Sequence, residues 1–538
     1  METQDYTSKT LDHLGLVAGM CREIGISDLI DKHCPNDSPD QIVSTGKALE
    51  AMILNGLGFV NKRLYLVAHF FADKPVELLL GSGLKAEHFN DDRLGRALDT
   101  LYERGLTSLF AKLSRRTLEV LGYRPRRGHL DTTSMSVYGR YNSEEEEVGS
   151  KLHITHGYSK DKRPDLAQVT IQLICEHLSG IPLHMEVLNG NSSDSESFRQ
   201  VIQTFGEQLR TEAGLLTIIA DSKLYCEETI QELEAGQFKW VSRVPGTLQA
   251  AADLMKKIKA EDLKALKERG YSSACYTYEY GGVAQHWVVY HSQSAASQEA
   301  TRLEKKLAQE RDKAEKALKK LERQHFHCVQ DAQQAAQQWQ QQWKWHTLVD
   351  VNIQQHKRYH QAGRPTHAAP ATVSYTIQAQ LHLDQERYEA EMFRRNLFIL
   401  ATNQQVHGPA EEEQLLRMYK EQHSVERGFR FIKDPNIVAS SFFVQKPERV
   451  AALAFVMTTC LLVYSALEYR IRQALEKQDK TVPDQKGKPS KKPTTRWVFQ
   501  LFVGIHVLVL PDGKRITLNL NSNHRNILSL LSYWDFYS

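Results

Sequence analysis

The first 125 residues carry the hydrophobic spacing of helices. Apolar residues recur every three to four positions, as in Leu94, Leu98 and Leu101, which places them on one face of a helix. This spacing predicts an all-α region over residues 1–125. A run of basic side chains at its end fits either a solvated helix face or a surface that contacts phosphates. Its members are Lys112, Arg115, Arg116, Arg124, Arg126 and Arg127.

The pattern changes at Gly128, where short apolar and β-branched segments replace the helical spacing. Helical segments separate the later strands, in the order β-β-β-α-β-α-β. This order predicts an α/β domain over residues 126–245, with a mixed five-stranded sheet and flanking helices. The predicted strands are 129–138, 166–175, 181–188, 215–221 and 240–244.

A long interruption follows over residues 246–395. It contains a predicted β-hairpin with a Gly-Gly turn at Gly281, a long amphipathic helix over 297–325, a Gln-rich helix partner and further strand sequence at 372–383. These patterns predict an α+β insertion domain with a hairpin and a long helix pair. The α/β domain then resumes over 396–477.

The last region, residues 478–538, is expected to hold a flexible Lys- and Pro-rich linker and a small apolar unit. The longest apolar stretch of the chain, Val450 to Leu467, is barely long enough to span a membrane and contains hydroxyl side chains. We interpret it as a buried helix.

Composition excludes several classes of protein but identifies no partner. The chain has 538 residues, of which 41% are hydrophobic and 25% charged, as expected of a folded chain of two to four domains. A net charge of +3 is too small to indicate nucleic acid, so any such surface must come from local clustering. The seven cysteines are scattered without a C-x-x-C pair, which argues against disulfides and a zinc site and favours a reducing compartment. Without a visible secretory signal, we expect a cytoplasmic protein.

Three carboxylates occupy unusual positions. Asp131 lies inside the first strand, Asp221 closes a continuous apolar strand, and Glu426 lies on a helix after the interruption. Each could simply pair with a nearby cation or cap a strand. The first and fourth strands of such a sheet are neighbours, however, so Asp131 and Asp221 are expected to face each other across the ladder. Two carboxylates that close favour a divalent cation between them, and all-oxygen ligation suits Mg²⁺, or Mn²⁺ in its place.

The helix that carries Glu426 presents a polar stripe. Tyr419, Gln422, Glu426 and Lys433 are spaced to fall on one side of a single helix, with Arg430 beside them. A core-facing stripe would be apolar. This one suits a phosphate-bearing ligand near a metal, although ordinary surface ion pairs produce similar stripes.

Together these features resemble the DDE transposases of bacterial insertion sequences, which have an RNase H-like catalytic domain. The resemblance spans roughly residues 126–475 and includes the segments 156–165 and 190–194. The helix is similar to the signature Y-(2)-R-(3)-E-(6)-K of a cut-and-paste subgroup, which Tyr419, Glu426 and Lys433 match. Gln422 stands where that signature has arginine.

The resemblance implies roles for individual residues. Asp131, Asp221 and Glu426 would be the catalytic residues and the ligands of two Mg²⁺ ions, and Tyr419 and Lys433 would contact DNA phosphates. Gln422 lacks a guanidinium group for the same contact, for which Arg427 or Arg430 would substitute. The sequence leaves other assignments open. Lys160 and Arg163 fit either a DNA contact or a solvated loop, and Trp287 fits either stacking on a flipped base or packing within the insertion.

The function implied is that of a transposase. It would bind the terminal inverted repeats of its own mobile element as a homodimer, cleave double-stranded DNA and join the freed ends to target DNA, with no membrane involved. It would be bacterial and nucleoid-associated. A structure-specific RNase H-like nuclease and a catalytically inactive DNA-binding derivative remain as alternatives.

Overall fold

The N-terminal region is helical, as its spacing predicts. It begins with one short strand, and Asn90 caps its sixth helix by accepting a hydrogen bond from the backbone N–H of Arg93 at 2.9 Å. The elements are β1 (Thr7–Thr10), α1 (Leu14–Ile24), α2 (Ile26–His33), α3 (Thr45–Leu57), α4 (Val67–Phe71), α5 (Val76–Leu80), α6 (Asp91–Glu103) and α7 (Leu106–Leu121). The structure, a computed structural model, describes residues 7–35, 41–58, 66–137, 152–160, 162–359, 371–433 and 446–538.

The five predicted strands form one mixed sheet in the expected order. The second runs antiparallel to both the first and the third, and the fourth and fifth run parallel to the first. This arrangement is RNase H-like, and it confirms the expected α/β fold. The elements are β2 (Arg127–Ser136), β3 (Gln168–Glu176), β4 (Pro182–Leu188), α8 (Asp194–Thr211), β5 (Thr217–Ala220), α9 (Glu227–Ala235) and β6 (Lys239–Arg243). Tyr138, expected in the first strand, lies outside the described residues.

The sheet extends beyond the five strands, because the predicted hairpin joins it. Its order is β4-β3-β2-β5-β6-β12-β9-β8-β7, in which β7 is Lys264–Ala265, β8 is Tyr271–Tyr280, β9 is Val283–Ser292 and β12 is Leu397–Thr402. The hairpin therefore belongs to the main sheet and not to the insertion, since strand 397–402 pairs with both β6 and β9. The added elements are α10 (Gln249–Lys257), β7 (Lys264–Ala265), β8 (Tyr271–Tyr280) and β9 (Val283–Ser292).

The remaining insertion packs around a small core of its own. The expected long helix and its partner are present, and they cover a two-stranded antiparallel ribbon. The buried apolar residues are Ala314, Leu318, Leu321, Ala332, Trp339 and Ile377. The elements are α11 (Gln293–Glu322), α12 (Val329–Gln341), β10 (His346–Tyr359), β11 (Ala371–Leu383) and α13 (Gln385–Arg395).

The chain returns to the sheet through β12 (Leu397–Thr402), followed by α14 (Pro409–Lys420), α15 (His423–Ile432) and α16 (Pro447–Lys477). The sequence predicts one helix through Lys433, but the structure breaks it at Glu421 and Gln422. The backbone N–H of Gln422 donates to the carbonyl of Tyr419 at 3.3 Å, a tightened turn that replaces the regular α-helical bond.

Helix α16 forms the common core of the protein. It packs against α1, α3, α6 and α7, against β4 and α15, and against the C-terminal helices. By length and composition it could cross a membrane, but 89% of its most apolar window is buried inside the protein. This burial accounts for the apolar stretch that the sequence assigns to a buried helix.

The C-terminal residues are integrated with the N-terminal region. Strands β1 and β15 pair, so both ends of the chain share one small sheet. The expected linker 478–494 contains two short antiparallel strands, 482–483 and 489–490. The carbonyl of Pro483 accepts a hydrogen bond from Nε1 of Trp497 at 2.6 Å. The elements are β13 (Val482–Pro483), β14 (Pro489–Ser490), α17 (Thr495–Leu501), β15 (His506–Val509), β16 (Arg515–Leu518) and α18 (Ser522–Leu531).

Two glycines allow the C-terminal aromatic residues to lie against α1. A Cβ atom at Gly19 would lie 2.6 Å from Cδ2 of Tyr533, and one at Gly15 would lie 2.5 Å from Cε2 of Tyr537. Both tyrosines are buried. The close approach therefore requires glycine at these positions of the helix.

We expect Gly19→Ala to destabilise the protein by about 1–3 kcal/mol, because the added methyl group overpacks a buried contact. The measurement is the free energy of unfolding from denaturant titration. Gly246→Ala is the matched control, since a Cβ atom there meets no atom within 4 Å. Equal stability of the two variants would mean that the C-terminal residues do not pack on α1 in solution.

Candidate active site at the ends of two parallel strands

Asp131 and Asp221 lie at the same level of two neighbouring parallel strands. Leu130 pairs with Ala220 across β2 and β5, so the two acids are the next residues along each strand. Residues at matching positions of a parallel pair point to the same face, and neighbouring strands are about 4.8 Å apart. The fold therefore brings these two carboxylates together, as the strand order predicts.

The Asp131 carboxylate is in an unfavourable environment. Its side chain is 29% exposed. Burial raises the pKa of Asp131, and the charge of Asp221 raises it further, whereas the Lys160 ammonium opposes both effects. Nζ of Lys160 lies 3.6 Å from Oδ1 of Asp131. The Lys160 cation therefore offsets part of the repulsion between the acids.

A third acid, Asp194 at the start of α8, completes a polar network beside Asp131. Its Oδ1 accepts a hydrogen bond from Oγ1 of Thr132 at 2.6 Å, and its Oδ2 pairs with Lys223 and lies 3.8 Å from Nζ of Lys160. The Asp194 side chain is only 12% exposed, so these partners stabilise a charge that is largely removed from water. Two lysines and a threonine thus surround one carboxylate.

A cleft of about 270 Å³ opens beside this network. Lys160 and Lys223 line it, together with the serines that precede and begin α8. Tyr158, which is 85% exposed, also lines it. Burial lowers the pKa of Lys223, and the neighbouring Lys160 charge contributes. The cleft therefore has cationic walls next to the paired acids.

Tyr419 reaches the other side of Asp221. Burial raises the pKa of Tyr419, and the charge of Asp221 also raises it, while hydrogen bonds with Gln422 and Arg243 and the charge of Arg243 lower it. Arg243 ends β6, the parallel neighbour of β5, and therefore lies at the same edge of the sheet as Asp221. Tyr419 and Gln422 thus belong to the site, and Arg243 supplies a guanidinium group there.

The break separates Tyr419 from the rest of the predicted polar stripe. Glu426 and Arg430 lie on α15 and Lys433 follows it, so they do not share one helix face with Tyr419. Helix α15 packs against β2 and β3, and a Cβ atom at Gly428 would lie 3.7 Å from Sγ of Cys175. Cys175 pairs with His129 across the ladder, so α15 lies on the face that carries Asp131. Glu426 is exposed on this helix.

Among the described residues, no group of three or more His, Cys, Asp and Glu side chains lies close enough to hold a metal ion. Asp131 and Asp221 alone nevertheless have the chemistry that a divalent cation requires. They are paired carboxylates, and burial and mutual repulsion raise the pKa of Asp131 where no metal is bound. The donor set thus fits a Mg²⁺ or Mn²⁺ ion that completes its shell with further oxygen ligands.

Two other predicted DNA contacts have partners within the protein. Trp287 is 1% exposed, and its Nε1 donates to the hydroxyl of Tyr225 at 2.9 Å. The prediction that Trp287 stacks on a flipped base is therefore wrong, because its ring lies on β9 and packs in the protein core. Arg163 forms a two-pronged ion pair with Asp165 at 2.7 and 2.8 Å, and its side chain is 46% exposed.

A buried histidine pair connects the sheet to the break between α14 and α15. Nε2 of His129 lies 2.7 Å from Nδ1 of His177, and Nε2 of His177 lies 2.5 Å from Oε2 of Glu421. Burial lowers the pKa of His129 to about 3 and also lowers the pKa of His177. Both rings are therefore neutral at pH 7 and can join Glu421 in one hydrogen-bonded chain.

Sequence reasoning missed Asp194, Arg243, Lys223 and this histidine chain. One signal was available for Arg243, because it lies near the end of the predicted strand 240–244, which follows the strand closed by Asp221. Asp194 lies in the segment 190–194, which contributes to the family resemblance, but no sequence pattern connects it with Asp131. No sequence pattern connects His129, His177 and Glu421, which meet only through the fold.

Residues 123–463 match the protein family described as Transposase DDE domain, and residues 6–115 match Domain of unknown function (DUF4277). No curated protein matches the chain. A solved structure, described as the cryo-EM structure of a piggyBac transposase synaptic complex with hairpin DNA, is similar over 99% of this chain and 88% of that chain. Its sequence identity is 10% and its TM-score is 0.38.

We expect Asp131→Asn to stabilise the protein at pH 7 in the absence of divalent cations. Because the folded-state pKa of Asp131 is raised, its contribution to stability is complete below the unfolded pKa and is lost as the pH rises through the folded pKa. The side-chain amide of asparagine does not ionise, so the variant does not lose this stability as the pH rises. The midpoint of thermal unfolding should therefore rise at pH 7, and the gain should shrink towards pH 3.

Asp194→Asn is the matched control and should have the opposite effect. It removes the charge that pairs with two lysines, so we expect a loss of about 1–3 kcal/mol at pH 7. If both substitutions lower the unfolding midpoint at pH 7, the Asp131 carboxylate is a stabilising ion-pair partner and the expectation is wrong.

Proposed function

The chain belongs to the transposase DDE domain family, and from this premise we propose that it cleaves and joins DNA at the ends of its own mobile element. The observation that carries the proposal is the adjacency of Asp131 and Asp221 at the ends of β2 and β5. Transposases of this family generally use divalent metal ions, and paired carboxylates are suitable ligands for them.

We propose Glu426 as the third acid of the site. It is exposed on α15, which packs on the face of the sheet that carries Asp131. Asp194 is less suited, since Thr132 and Lys223 already engage both of its oxygens. When bound, divalent cations would polarise the phosphodiester and lower the pKa of an attacking water. Asp131, Asp221 and Glu426 would hold two such ions beside the scissile phosphate.

The surrounding side chains suit a phosphate group. Lys160 and Lys223 supply ammonium groups on one side of the paired acids, and Arg243 supplies a guanidinium group on the other side, beside Tyr419. A phosphodiester between them would receive hydrogen bonds and positive charge from both sides. These residues would orient the scissile phosphate against Asp131 and Asp221, and Arg430 and Lys433 would contact DNA farther along α15.

Two further features of the proposal follow from what the reaction demands. Joining both ends of an element to one target requires two active sites, so we propose that a homodimer acts on the paired ends. The freed 3′ hydroxyl would attack a target phosphodiester directly, forming the new bond as the target strand breaks and leaves with a 3′ hydroxyl, so no covalent intermediate with the protein is required. The DNA partners would be the inverted-repeat ends and the target duplex.

We expect Asp221→Asn to lower cleavage and strand transfer at least about 100-fold, because it removes a carboxylate that would hold the metal. The substrate is a duplex carrying the sequences that flank the gene, incubated with Mg²⁺ and resolved on a denaturing gel. DNA affinity in a gel-shift assay should be unchanged, since binding depends on the cationic residues.

Asp535→Asn makes the same chemical change at a surface residue and should leave both activities unchanged; the Asp535 side chain is 76% exposed and pairs with Arg22. Glu426→Gln should resemble Asp221→Asn. Full activity of Asp221→Asn would refute the proposal. Cleavage by the unsubstituted protein without any joining would instead indicate a nuclease.

A further inference from the structure

The hydrogen-bonded chain of His129, His177 and Glu421, here called the histidine bridge, spans two distant parts of the sequence. Its first member lies on β2, two residues before Asp131 and on the same face of the sheet. Its last member lies in the break between α14 and α15, two residues after Tyr419 and five before Glu426. It therefore connects the strand that carries one acid to the helices that carry the other site residues.

The histidine bridge places two polar rings in the protein interior. His129 is fully buried and His177 is 5% exposed, and their rings stack with centroids 5.0 Å apart. Apolar side chains would fill this space without the desolvation cost of ring nitrogens, which is about 1–3 kcal/mol for each unpaired group. Glu421 accepts the hydrogen bond at one end of the histidine bridge.

The histidine bridge is also anchored at β2 by the main chain. The backbone N–H of His177 donates to the carbonyl of Arg127 at 3.1 Å, at the start of β2. Glu421 is thus held by a residue that is itself fixed to the strand of Asp131. On the opposite side of the break, Lys420 pairs with Glu268 at 3.0 Å, next to β8, and makes no such connection to β2.

We infer that the histidine bridge sets the position of α15 relative to β2, and that His177 and Glu421 are positioning residues for Tyr419 and Glu426. The catalytic consequence rests on the proposed function, but the structural consequence does not. The break at Glu421 turns α15 onto the sheet, and the histidine bridge is a polar contact between this break and β2.

The first test measures amide hydrogen exchange in α15, without DNA or metal. Glu421→Ala should speed exchange in peptides covering residues 423–433 about tenfold or more, because a hydrogen bond to a charged group is lost. Glu421→Gln keeps an acceptor and should remain within about threefold of the unsubstituted protein. Glu268→Ala, which removes the ion pair on the other side of the break, should leave α15 unchanged.

The second test measures cleavage and DNA affinity of the same variants. Glu421→Ala should lower the cleavage rate about tenfold or more at unchanged DNA affinity, and Glu421→Gln should recover most of the rate. Glu421 is half-exposed, with a 48% exposed side chain, so its substitution avoids the risk that a change at buried His177 prevents folding.

The outcomes separate the inference from the proposed function. Unchanged exchange in α15 of Glu421→Ala overturns the inference, whatever the activity. Faster exchange spread equally over α15 and α16 also overturns it, because that indicates a general loss of stability. If the unsubstituted protein cleaves no DNA, the proposed function fails while the exchange result still decides the role of the histidine bridge.

Discussion

The parallel pairing of β2 and β5 is the constraint on which the site depends. It brings Asp131 and Asp221 to the same level of neighbouring strands, where two like charges repel. The surrounding residues can be understood as responses to this repulsion. Lys160 lies beside one acid and Arg243 beside the Tyr419 that flanks the other, while Asp194 balances the cations Lys160 and Lys223. If β2 and β5 were not neighbours, Asp131 and Asp221 would not repel each other and would not require nearby cations.

Long-range packing holds this local arrangement in place. Helix α16 follows the α15 region in sequence and contacts the N-terminal helices, the sheet and the C-terminal helices. Arg449 near its start forms a two-pronged ion pair with Asp99 of α6 at 2.6 and 2.7 Å. Because one buried helix packs against all these regions, the N-terminal and C-terminal parts of the chain support the sheet that carries Asp131 and Asp221 and are not loosely tethered modules. The close contacts of Gly15 and Gly19 with Tyr537 and Tyr533 also join the C-terminal residues to helix α1.

The sequence predicts what local patterns encode. Apolar runs with β-branched residues identify β2 to β6, and the order of strands and helices suffices to place Asp131 beside Asp221. Local patterns fail where distant segments decide the outcome. The pairing of β12 with β9 moves the hairpin and buries Trp287, and no feature of the hairpin itself shows this. The break after Lys420 is similarly hidden, because the partner of Glu421 is a histidine 244 positions away along the chain (421 − 177 = 244).

The polar groups buried around the site are best explained by function. Stability alone would favour apolar side chains at His129 and His177 and a neutral residue at Asp131, whose pKa burial raises. His129 and Asp131 lie on β2, and His177 connects β2 to the break between α14, which carries Tyr419, and α15, which carries Glu426. A fold that retains buried polar groups where they cost stability, and connects them to one another, gains a fixed geometry in return. Phosphoryl transfer depends on such geometry, because its catalysis consists mostly of positioning and electrostatic stabilisation.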